Sequence, residues 1–344
     1  MLNESTEVLV IGAGPIGLEL AVALKREGID YVHVDAKQIG ATIQWWAPGT
    51  RWFSSNDRIS IAGVPIVTPD QGKATREHYL AYLRGVVEQF DLHVRTYEPV
   101  VDIRRADDRF TVITRTGTGE HAIDCRRIVL CTGGTERPRR LDIPGERLPH
   151  VSNYFQDPHT YFRKKLLIVG GRNSAVEAAL RCQAAGAEVS ISYRRDALPA
   201  SSIKYWLMPE ITGLMKTGKI RSYFNTVPTR ITPGQVTLKS TIDQSELDVP
   251  ADFVLLMIGY LADMSLCSIA GIELVGEQQV PRFDPQTMQT NVPGIFVAGT
   301  VIAGTQSSYR IFLENCHVHV DRIIAALRGD APPPLPVPNE RPET

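Results

Sequence analysis

The sequence predicts an α/β protein, and two similar stretches carry that prediction. Near the N-terminus, the apolar run Val8–Ile11 leads into the glycine-rich turn Gly12–Gly17 and an amphipathic run that ends at Glu27. A second run, Lys165–Val169, leads in the same way into Gly170–Ser174 and a helical pattern. Short continuous apolar runs are typical of strands buried in a parallel sheet, whose connections are usually helices. The repeat predicts two units of one architecture.

The first turn has the spacing of a dinucleotide site, Gly12-x-Gly14-x-x-Gly17. Gly12 permits the tight turn, Gly14 lets a pyrophosphate approach the backbone, and Gly17 lets the helix pack close to the strand. The helix N-terminus then faces the phosphates with free N–H groups. The next strand, Tyr31–Val34, ends in Asp35, where a ribose hydroxyl needs an acceptor.

The second turn departs from this pattern at two positions. Arg172 stands where the fingerprint has its second glycine, so we expect its side chain to point outward and the phosphate approach to be shifted. The strand Glu188–Ser192 is followed by Tyr193, Arg194 and Arg195 instead of an acid. Because an arginine pair accommodates the 2′-phosphate of NADPH, the sequence predicts NADPH at this turn.

Periodicity predicts the remaining elements. They are a helix over Thr75–Phe90, antiparallel strands over Val100–Ile103 and Phe110–Ile113, buried strands within Arg127–Gly134, Asp252–Tyr260 and Thr290–Gly299, and a last helix over Tyr309–Leu327. Two Pro-rich stretches are expected to be irregular, a linker from Arg137 to Pro149 and a disordered tail from Ala331 onward. The aromatic side chains between Thr42 and Ser60 either cover a planar ring or fill the core beneath a long loop, and both readings stay open.

Composition narrows the class of protein. The 344 residues are 43% hydrophobic, which is enough for two cores, and the net charge of -1 gives no reason to expect nucleic acid or a membrane surface. No apolar stretch is long enough for a membrane helix, and Glu4 and Glu7 argue against a signal peptide. The 5 cysteines have no regular spacing and predict no disulfide framework. We therefore expect a cytoplasmic protein.

Further motifs give the sequence a family resemblance. They are Cys131-Thr132-Gly133, Thr290-x-x-Pro293-Gly294-Ile295-Phe296-x-Ala298-Gly299 and Gly170-Gly171-x-Asn173-Ser174-Ala175. With both turns, they make the chain resemble the two-dinucleotide-binding flavoprotein reductases, in particular the thioredoxin reductase group. The resemblance implies two Rossmann-like domains, one for FAD and one for NADPH, and a homodimer. The FAD domain would comprise residues 1–140 and 262–330, the NADPH domain 150–260, and the tail 331–344.

The resemblance also implies which residues bind the two cofactors. FAD would be bound by Gly12, Gly14, Pro15, Ile16, Gly17, Asp35, Ala36, Gln44, Val100, Thr132, Gly133, Gly299 and Gln306. NADPH would be bound by Gly170, Gly171, Arg172, Asn173, Ser174, Arg194 and Arg195. Thr300 replaces an aspartate common in these reductases, but its hydroxyl can still accept a hydrogen bond.

The departures from the family concern sulfur chemistry. Thioredoxin reductases carry Cys-x-x-Cys just before the second unit, where this chain has Val151–Asp157 without a cysteine. Reduction through an internal dithiol needs an attacking thiolate and a resolving thiol, so we expect no thioredoxin reduction by that relay.

A closer resemblance is to the bacillithiol-disulfide reductases, which lack that cysteine pair. The shared residues are Phe53-Ser54-Ser55, Tyr154-Phe155, Tyr161-Phe162, Gly170-Gly171-Arg172-Asn173-Ser174, Ser202-Ile203-Lys204, Trp206, Pro209-Glu210 and Ile311-Phe312-Leu313-Glu314-Asn315. This family implies electron transfer from NADPH through FAD to a low-molecular-weight disulfide, with an active cysteine in the first glycine turn. That position is Ile16, which cannot attack sulfur. A small disulfide, a quinone-like molecule and oxygen all remain possible acceptors, and no catalytic residue is predicted.

Other interpretations also follow from the sequence. His150-Val151-Ser152-x-Tyr154 weakly resembles a flavin monooxygenase fingerprint, and the lack of an identified acid, base or thiol would suit a non-enzymatic redox sensor. Cys316-His317-x-His319 has the look of a ligand set, but adjacent helical residues point apart, so we expect no metal. A helix after Gly304–Gln306 is expected to aim its N-terminus at the flavin pyrimidine ring, with His317 as a candidate to face the ring.

Overall fold

The computed structural model describes residues 4–306 and 310–334, which form two compact units. The first unit takes the chain up to residue 44, residues 49–137 and the chain from residue 260 onward. The second unit takes residues 138–259 together with 45–48, a short piece that the sequence did not indicate.

Helices and strands are mixed along the described chain, as an α/β sequence predicts. The helices are α1 Pro15–Arg26, α2 Ala41–Gln44, α3 Asn56–Ile59, α4 Arg76–Gln89, α5 Asn173–Ala184, α6 Met208–Lys216, α7 Ser265–Ile269 and α8 His317–Arg328. The strands of the first half are β1 Glu4–Ile11, β2 Tyr31–Val34, β3 Val94–Arg95, β4 Val100–Ala106, β5 Arg109–Thr116, β6 Gly119–Leu130, β7 Arg137–Pro138, β8 Val151–Ser152 and β9 Lys165–Val169. The later strands are β10 Glu188–Tyr193, β11 Ile220–Phe224, β12 Thr226–Thr232, β13 Gly234–Ser240, β14 Glu246–Ala251, β15 Phe253–Leu256, β16 Tyr260–Leu261, β17 Leu274–Val275, β18 Val280–Pro281 and β19 Ile295–Val297.

The first unit is built on a seven-stranded sheet in which β3, β2, β1 and β6 are neighbours in that order and run parallel. Strand β6 is long enough to have two partners on its other side. Its first part pairs antiparallel with β5, which pairs with β4, and its last residues pair parallel with β19. The carboxyl ends of β2, β1, β6 and β19 therefore lie along one edge of the sheet, where α/β proteins bind their ligands.

The second unit is built on a parallel sheet with the strand order β11-β10-β9-β15-β8. A separate antiparallel sheet, β12-β13-β14, belongs to the same unit. Helix α5 packs on the parallel sheet with the small side chains Ala175, Ala178 and Ala179 in the core, which allows a close helix–sheet approach.

The stretch from Arg137 to Pro149, which the sequence predicts to be a linker, packs on the second unit. Leu141, Ile143 and Leu148 pack against the core of the second unit, and Ile231 donates its backbone N–H to Pro144 O at 2.9 Å. The reason is that apolar side chains alternate with the charged ones, so the segment can bury one side.

The last helix begins later than predicted, at His317, after a 3-10 turn over Leu313–Asn315. The side chain of Gln306 explains part of this difference, because its Oε1 accepts from the backbone N–H groups of Arg310 and Ile311 at 2.8 and 3.0 Å and holds them in a non-helical turn. Residues 307–309, where the helix was expected to start, lie outside the described residues.

The predicted tail is only partly described. Residues 331–334 have no regular secondary structure, and residues 335–344 lie outside the described residues. Among the helices of the described chain, none combines the length and apolar character needed to cross a membrane.

Candidate functional site

The site in the first unit forms where three parallel strands end side by side. Cys131, just after β6, donates its N–H to Ile11 O on β1 at 2.7 Å, and Ala298, just after β19, donates to Leu130 O at 3.0 Å. These bonds bring the Gly12 turn, Thr132 with Gly133, and Gly299 to the same sheet edge.

The three fingerprint glycines have different structural roles. A Cβ on Gly17 would overlap the carbonyl of Gly12, and a Cβ on Gly12, whose φ is +109°, would press on the Cys131 carbonyl. A Cβ on Gly14 would meet nothing within 4 Å. Gly14 therefore borders open space at the N-cap of α1, directly before Pro15. Open space and unpaired N–H groups at a helix N-terminus fit a pyrophosphate.

Asp35 braces this turn from the end of β2. Its Oδ2 accepts from Ala13 N and its Oδ1 from Lys37 N, both at 2.6 Å. Burial raises the pKa of the Asp35 carboxyl, against the opposing effect of these two N–H groups. Each carboxylate oxygen keeps acceptor capacity, so the residue can still accept from a ribose hydroxyl.

Ala36, Gln44 and Val100, which were also predicted to bind FAD, belong to segments that backbone hydrogen bonds link to Asp35 or to the Gly12 turn. Tyr97 N donates to Lys37 O at 3.2 Å and Glu98 N donates to Asp35 O at 2.9 Å, which places the segment before Val100 beside Ala36. Gly40 N donates to Ala13 O at 3.0 Å and starts the turn into α2, whose last residue is the exposed Gln44.

A buried histidine that the sequence analysis did not single out supports the same turn. His33 on β2 is 1% exposed, and its Nε2 lies 3.0 Å from Gly12 O. Burial lowers the pKa of His33 to about 4, so the ring is neutral at neutral pH. The only signal in the sequence was its position two residues before Asp35, which puts both side chains on one side of the strand.

Ile16, at the position where the family resemblance implies a cysteine, is 5% exposed and packs with Cys131 and Cys316 in one core cluster. A Cβ on Gly299 would lie 3.6 Å from the Cβ of Ile16, so these two residues are adjacent. The wall at this point is apolar.

The cysteines of the chain are not poised as nucleophiles. All are buried free thiols. Burial raises their pKa values, to about 12 for Cys125, Cys131, Cys182 and Cys267 and still higher for Cys316. Because the thiolate is the reactive form, none of them has the character of a redox-active cysteine.

Two histidines at the start of α8 have different partners. His319 is 4% exposed, and its Nδ1 accepts from Gly299 N at 3.1 Å. Burial, with Arg322 and His317 nearby, lowers the pKa of His319 to about 4. His317 instead contacts Glu19 Oε2 at 2.7 Å and Arg58 O at 2.9 Å. Among the described residues, no three His, Cys, Asp or Glu side chains converge as a metal site would require.

Other residues that the sequence analysis singled out in the first unit contact neighbouring protein groups. The Gln306 amide bonds the backbone of Arg310 and Ile311 on both its oxygen and its nitrogen. Thr300 lies against Gly134, since a Cβ there would be 3.1 Å from Thr300 O. In the aromatic loop, the Trp52 ring packs 4.5 Å from that of the buried Tyr79, which supports the core-filling role for this side chain.

The turn of the second unit has the same hydrogen-bond register as the first. Gly170 N donates to Ser192 O at 3.0 Å, just as Gly12 N donates to Val34 O at 2.8 Å. Tyr193 therefore occupies the position of Asp35. A Cβ on Gly171 would lie 2.6 Å from the Tyr193 ring, so an aromatic face covers this turn where the first unit has a carboxylate.

The cations predicted for the second turn are exposed. Arg172 is the N-cap of α5, and Arg194 and Arg195 directly follow Tyr193. Asn173 and the exposed Ser174 belong to the first turn of α5 rather than to the loop before it. The Oδ1 of Asn173 accepts from Lys204 N at 2.8 Å and so ties the turn to the segment after the 3-10 turn Ala200–Ser202.

Comparison with known proteins identifies the class. Residues 9–299 match the pyridine nucleotide-disulphide oxidoreductase family. The chain belongs to this family. It is 33% identical to bacilliredoxin reductase Bdr of Bacillus subtilis over 93% of this chain and 97% of that protein. The solved structure of bacillithiol disulfide reductase Bdr from Bacillus cereus matches with a TM-score of 0.89 at 32% identity, covering 95% of this chain and 99% of that one.

A more distant match concerns the fold alone. Thioredoxin reductase from T. acidophilum has a TM-score of 0.73 at 18% identity, covering 95% of this chain and 99% of that one. The predicted class, an α/β protein like thioredoxin reductase, and the resemblance to the bacillithiol-disulfide reductases are confirmed. This pyridine nucleotide-disulphide oxidoreductase is a flavoprotein enzyme that uses FAD and a nicotinamide nucleotide.

Proposed function

We propose that this oxidoreductase passes electrons from NADPH through FAD to a small acceptor, with a low-molecular-weight disulfide as the first candidate. The contrast between the two turns carries the proposal. At the same register position, the first turn has the carboxylate of Asp35 and the second has Tyr193 followed by two exposed arginines. An acid suits a free ribose hydroxyl, whereas arginines suit a 2′-phosphate.

The first unit is the proposed FAD domain. The N-terminus of α1 beside Gly14 would hold the pyrophosphate, Asp35 the adenosine ribose, and Thr132, Gly133 and Gly299 would line the flavin half. When bound, FAD supplies the two-electron chemistry between nicotinamide and acceptor. The buried side chain of Ile16, adjacent to Gly299, would give this site an apolar wall.

The second unit is the proposed NADPH domain. Gly170 would permit the tight turn, the N-terminus of α5 would face the pyrophosphate, and Arg172 would add a cation in place of the usual glycine. Arg194 and Arg195 would bind the 2′-phosphate, which distinguishes NADPH from NADH.

The similar proteins support the choice of acceptor. Bacillithiol disulfide reductase, as its name states, acts on a small disulfide, and the similarity extends over nearly the whole chain. Ile16 and the protonated buried cysteines favour a second candidate, an acceptor such as a quinone that needs no protein thiol. If a disulfide is the substrate, no cysteine relay would take part.

The acceptor is identified by reoxidation. The flavin is first reduced anaerobically with NADPH, and low-molecular-weight disulfides, quinones and air are then added separately. Rapid return of the yellow colour with a disulfide supports the first candidate, and return only with quinone supports the second. A flavin that NADPH does not reduce would contradict both and favour a redox sensor.

We further propose a cytoplasmic homodimer. Free thiols are the rule in reducing compartments, and the family resemblance implies the dimer. Light scattering of the FAD-loaded protein in solution tests the dimer, because a monomeric mass would contradict it.

A further inference from the structure

Two buried histidines contact the two glycine turns at the sheet edge with opposite hydrogen-bond polarity. His33 on β2 lies beneath the first turn, with Nε2 3.0 Å from Gly12 O. His319 on α8 lies beside the other turn, with Nδ1 3.1 Å from Gly299 N. Both side chains are almost fully buried, at 1% and 4% exposure.

The two contacts fix the tautomer of each ring. Gly12 O can only accept, so Nε2 of His33 must carry a proton. Gly299 N can only donate, so Nδ1 of His319 must be bare and its proton must lie on Nε2. Burial lowers the pKa of both rings to about 4, which keeps both in these neutral forms.

Both turns need an external constraint. Gly12 and Gly299 have φ values of +109° and +81°, a region open to glycine, whose backbone loses the most conformational freedom on ordering. A side chain that holds the Gly12 carbonyl fixes the orientation of that peptide plane. The chain then continues into the N-terminus of α1, so the directions of the N–H groups there depend on this plane. A side chain that holds the Gly299 N–H fixes the plane next to Ile16.

We propose that His33 and His319 are positioning residues that hold the two glycine turns in the conformation that binds FAD. The inference rests on the proposed placement of FAD in the first unit. Each histidine makes its contact through one ring nitrogen and one backbone atom. Its contribution to FAD affinity therefore depends on how far from the backbone that nitrogen lies. Ordering these turns in advance removes part of the entropic cost of binding.

Amide substitutions of different reach test this directly. The amide oxygen of asparagine can take the place of histidine Nδ1, and the amide nitrogen of glutamine can take the place of Nε2. We therefore expect His319→Asn and His33→Gln to bind FAD like the wild type. We expect His319→Gln and His33→Asn to bind about tenfold more weakly, which is about 1.4 kcal/mol.

Each apoprotein is titrated with FAD, and the quenching of FAD fluorescence measures the affinity. Thermal unfolding of the same apoproteins measures their stability. His93, whose side chain is 90% exposed, supplies the control, since His93→Asn and His93→Gln should leave FAD affinity unchanged. Equal affinities within the pairs at positions 33 and 319 would overturn the inference, as would affinity losses fully matched by lost apoprotein stability. A wild-type protein that binds no FAD would instead contradict the proposed function.

Discussion

At the residue scale, the proposed sites depend on chemical groups that particular residues lack. Gly14 has no Cβ at a place where a ligand would lie, Ile16 has no thiol, and Tyr193 has no carboxylate where its counterpart Asp35 has one. Each absence changes the chemistry available at an otherwise repeated backbone.

Gly14 and Gly17 give a matched pair of substitutions. Gly17→Ala places a methyl group into the Gly12 carbonyl, so it should destabilise the apoprotein by about 2 kcal/mol or more. Gly14→Ala meets nothing in the apoprotein and should leave its unfolding temperature almost unchanged while weakening FAD binding. Thermal unfolding of both apoproteins measures the change in stability, and titration of the Gly14→Ala apoprotein with FAD measures the change in affinity. An equal loss of apoprotein stability in both variants would contradict the assigned roles.

The buried thiols give a second prediction at this scale. Since every cysteine is buried with a raised pKa, an alkylating reagent applied to the native enzyme near neutral pH should neither modify it nor lower its rate. Mass spectrometry after treatment with and without denaturant measures the labelling. Rapid loss of activity with one label per chain would show that a cysteine takes part.

Single residues also mark the limit of what the sequence could predict. The fingerprint glycines and Asp35 follow from spacing, because a nucleotide imposes that spacing on the backbone. The roles of His33 and His319 do not, because a hydrogen bond from a side chain to a glycine turn leaves no spacing pattern in the sequence. The hydrogen bonds of Gln306, which help to keep α8 from beginning earlier in the chain, are likewise visible only in the folded structure.

At the element scale, strands were predicted better than helix starts. β2 and β9 have the predicted bounds, since continuous apolar runs between turns define buried strands. The start of α8 was predicted wrongly, and the packing of the stretch from Arg137 to Pro149 was not predicted, because both depend on contacts far away in sequence.

The start of α8 is tied to α1 by a pair that should make stability depend on pH. Burial alone would lower the pKa of His317, but the bond to Glu19 and the Arg58 carbonyl outweigh it and raise the pKa. A raised pKa stabilises the fold fully below about pH 6.5, the unfolded value, and this contribution is lost as pH rises through the folded value.

Glu19→Gln should remove that part of the pH dependence. Urea unfolding of the wild-type apoprotein should show this contribution falling as pH rises above about 6.5 through the raised pKa of His317 in the folded protein, and the variant should lack it. His33 and His319 act in the opposite direction, because their lowered pKa values cost stability as pH falls from about 6.5 to about 4. Identical profiles for wild type and variant above about pH 6.5 would contradict the role of the pair.

At the scale of the whole molecule, one backbone plan occurs in both units, and we propose that it binds a different nucleotide in each. The same hydrogen bond from the first glycine to the end of the second strand defines both turns. The residues that follow that strand differ, and this difference is the proposed basis for FAD in one unit and NADPH in the other.

The arginine pair therefore should decide nucleotide choice. Arg194→Gln with Arg195→Gln should raise the KM for NADPH at least about tenfold, because charge-assisted hydrogen bonds to the 2′-phosphate are lost. The KM for NADH should stay nearly the same. As a control, Lys219→Gln changes an exposed cation elsewhere in the same unit and should leave the KM for NADPH and the KM for NADH nearly unchanged. An equal rise of KM for both nucleotides would argue against 2′-phosphate binding by the pair.

We propose above all that the chain carries electrons from NADPH to its own FAD. Anaerobic rapid mixing of the FAD-loaded protein with one equivalent of NADPH, or separately of NADH, measures this transfer through the loss of flavin absorbance. We expect complete loss with NADPH at a rate that matches turnover, and a rate at least about tenfold lower with NADH. Flavin that stays oxidised with NADPH, or that is reduced equally fast by NADH, would contradict it.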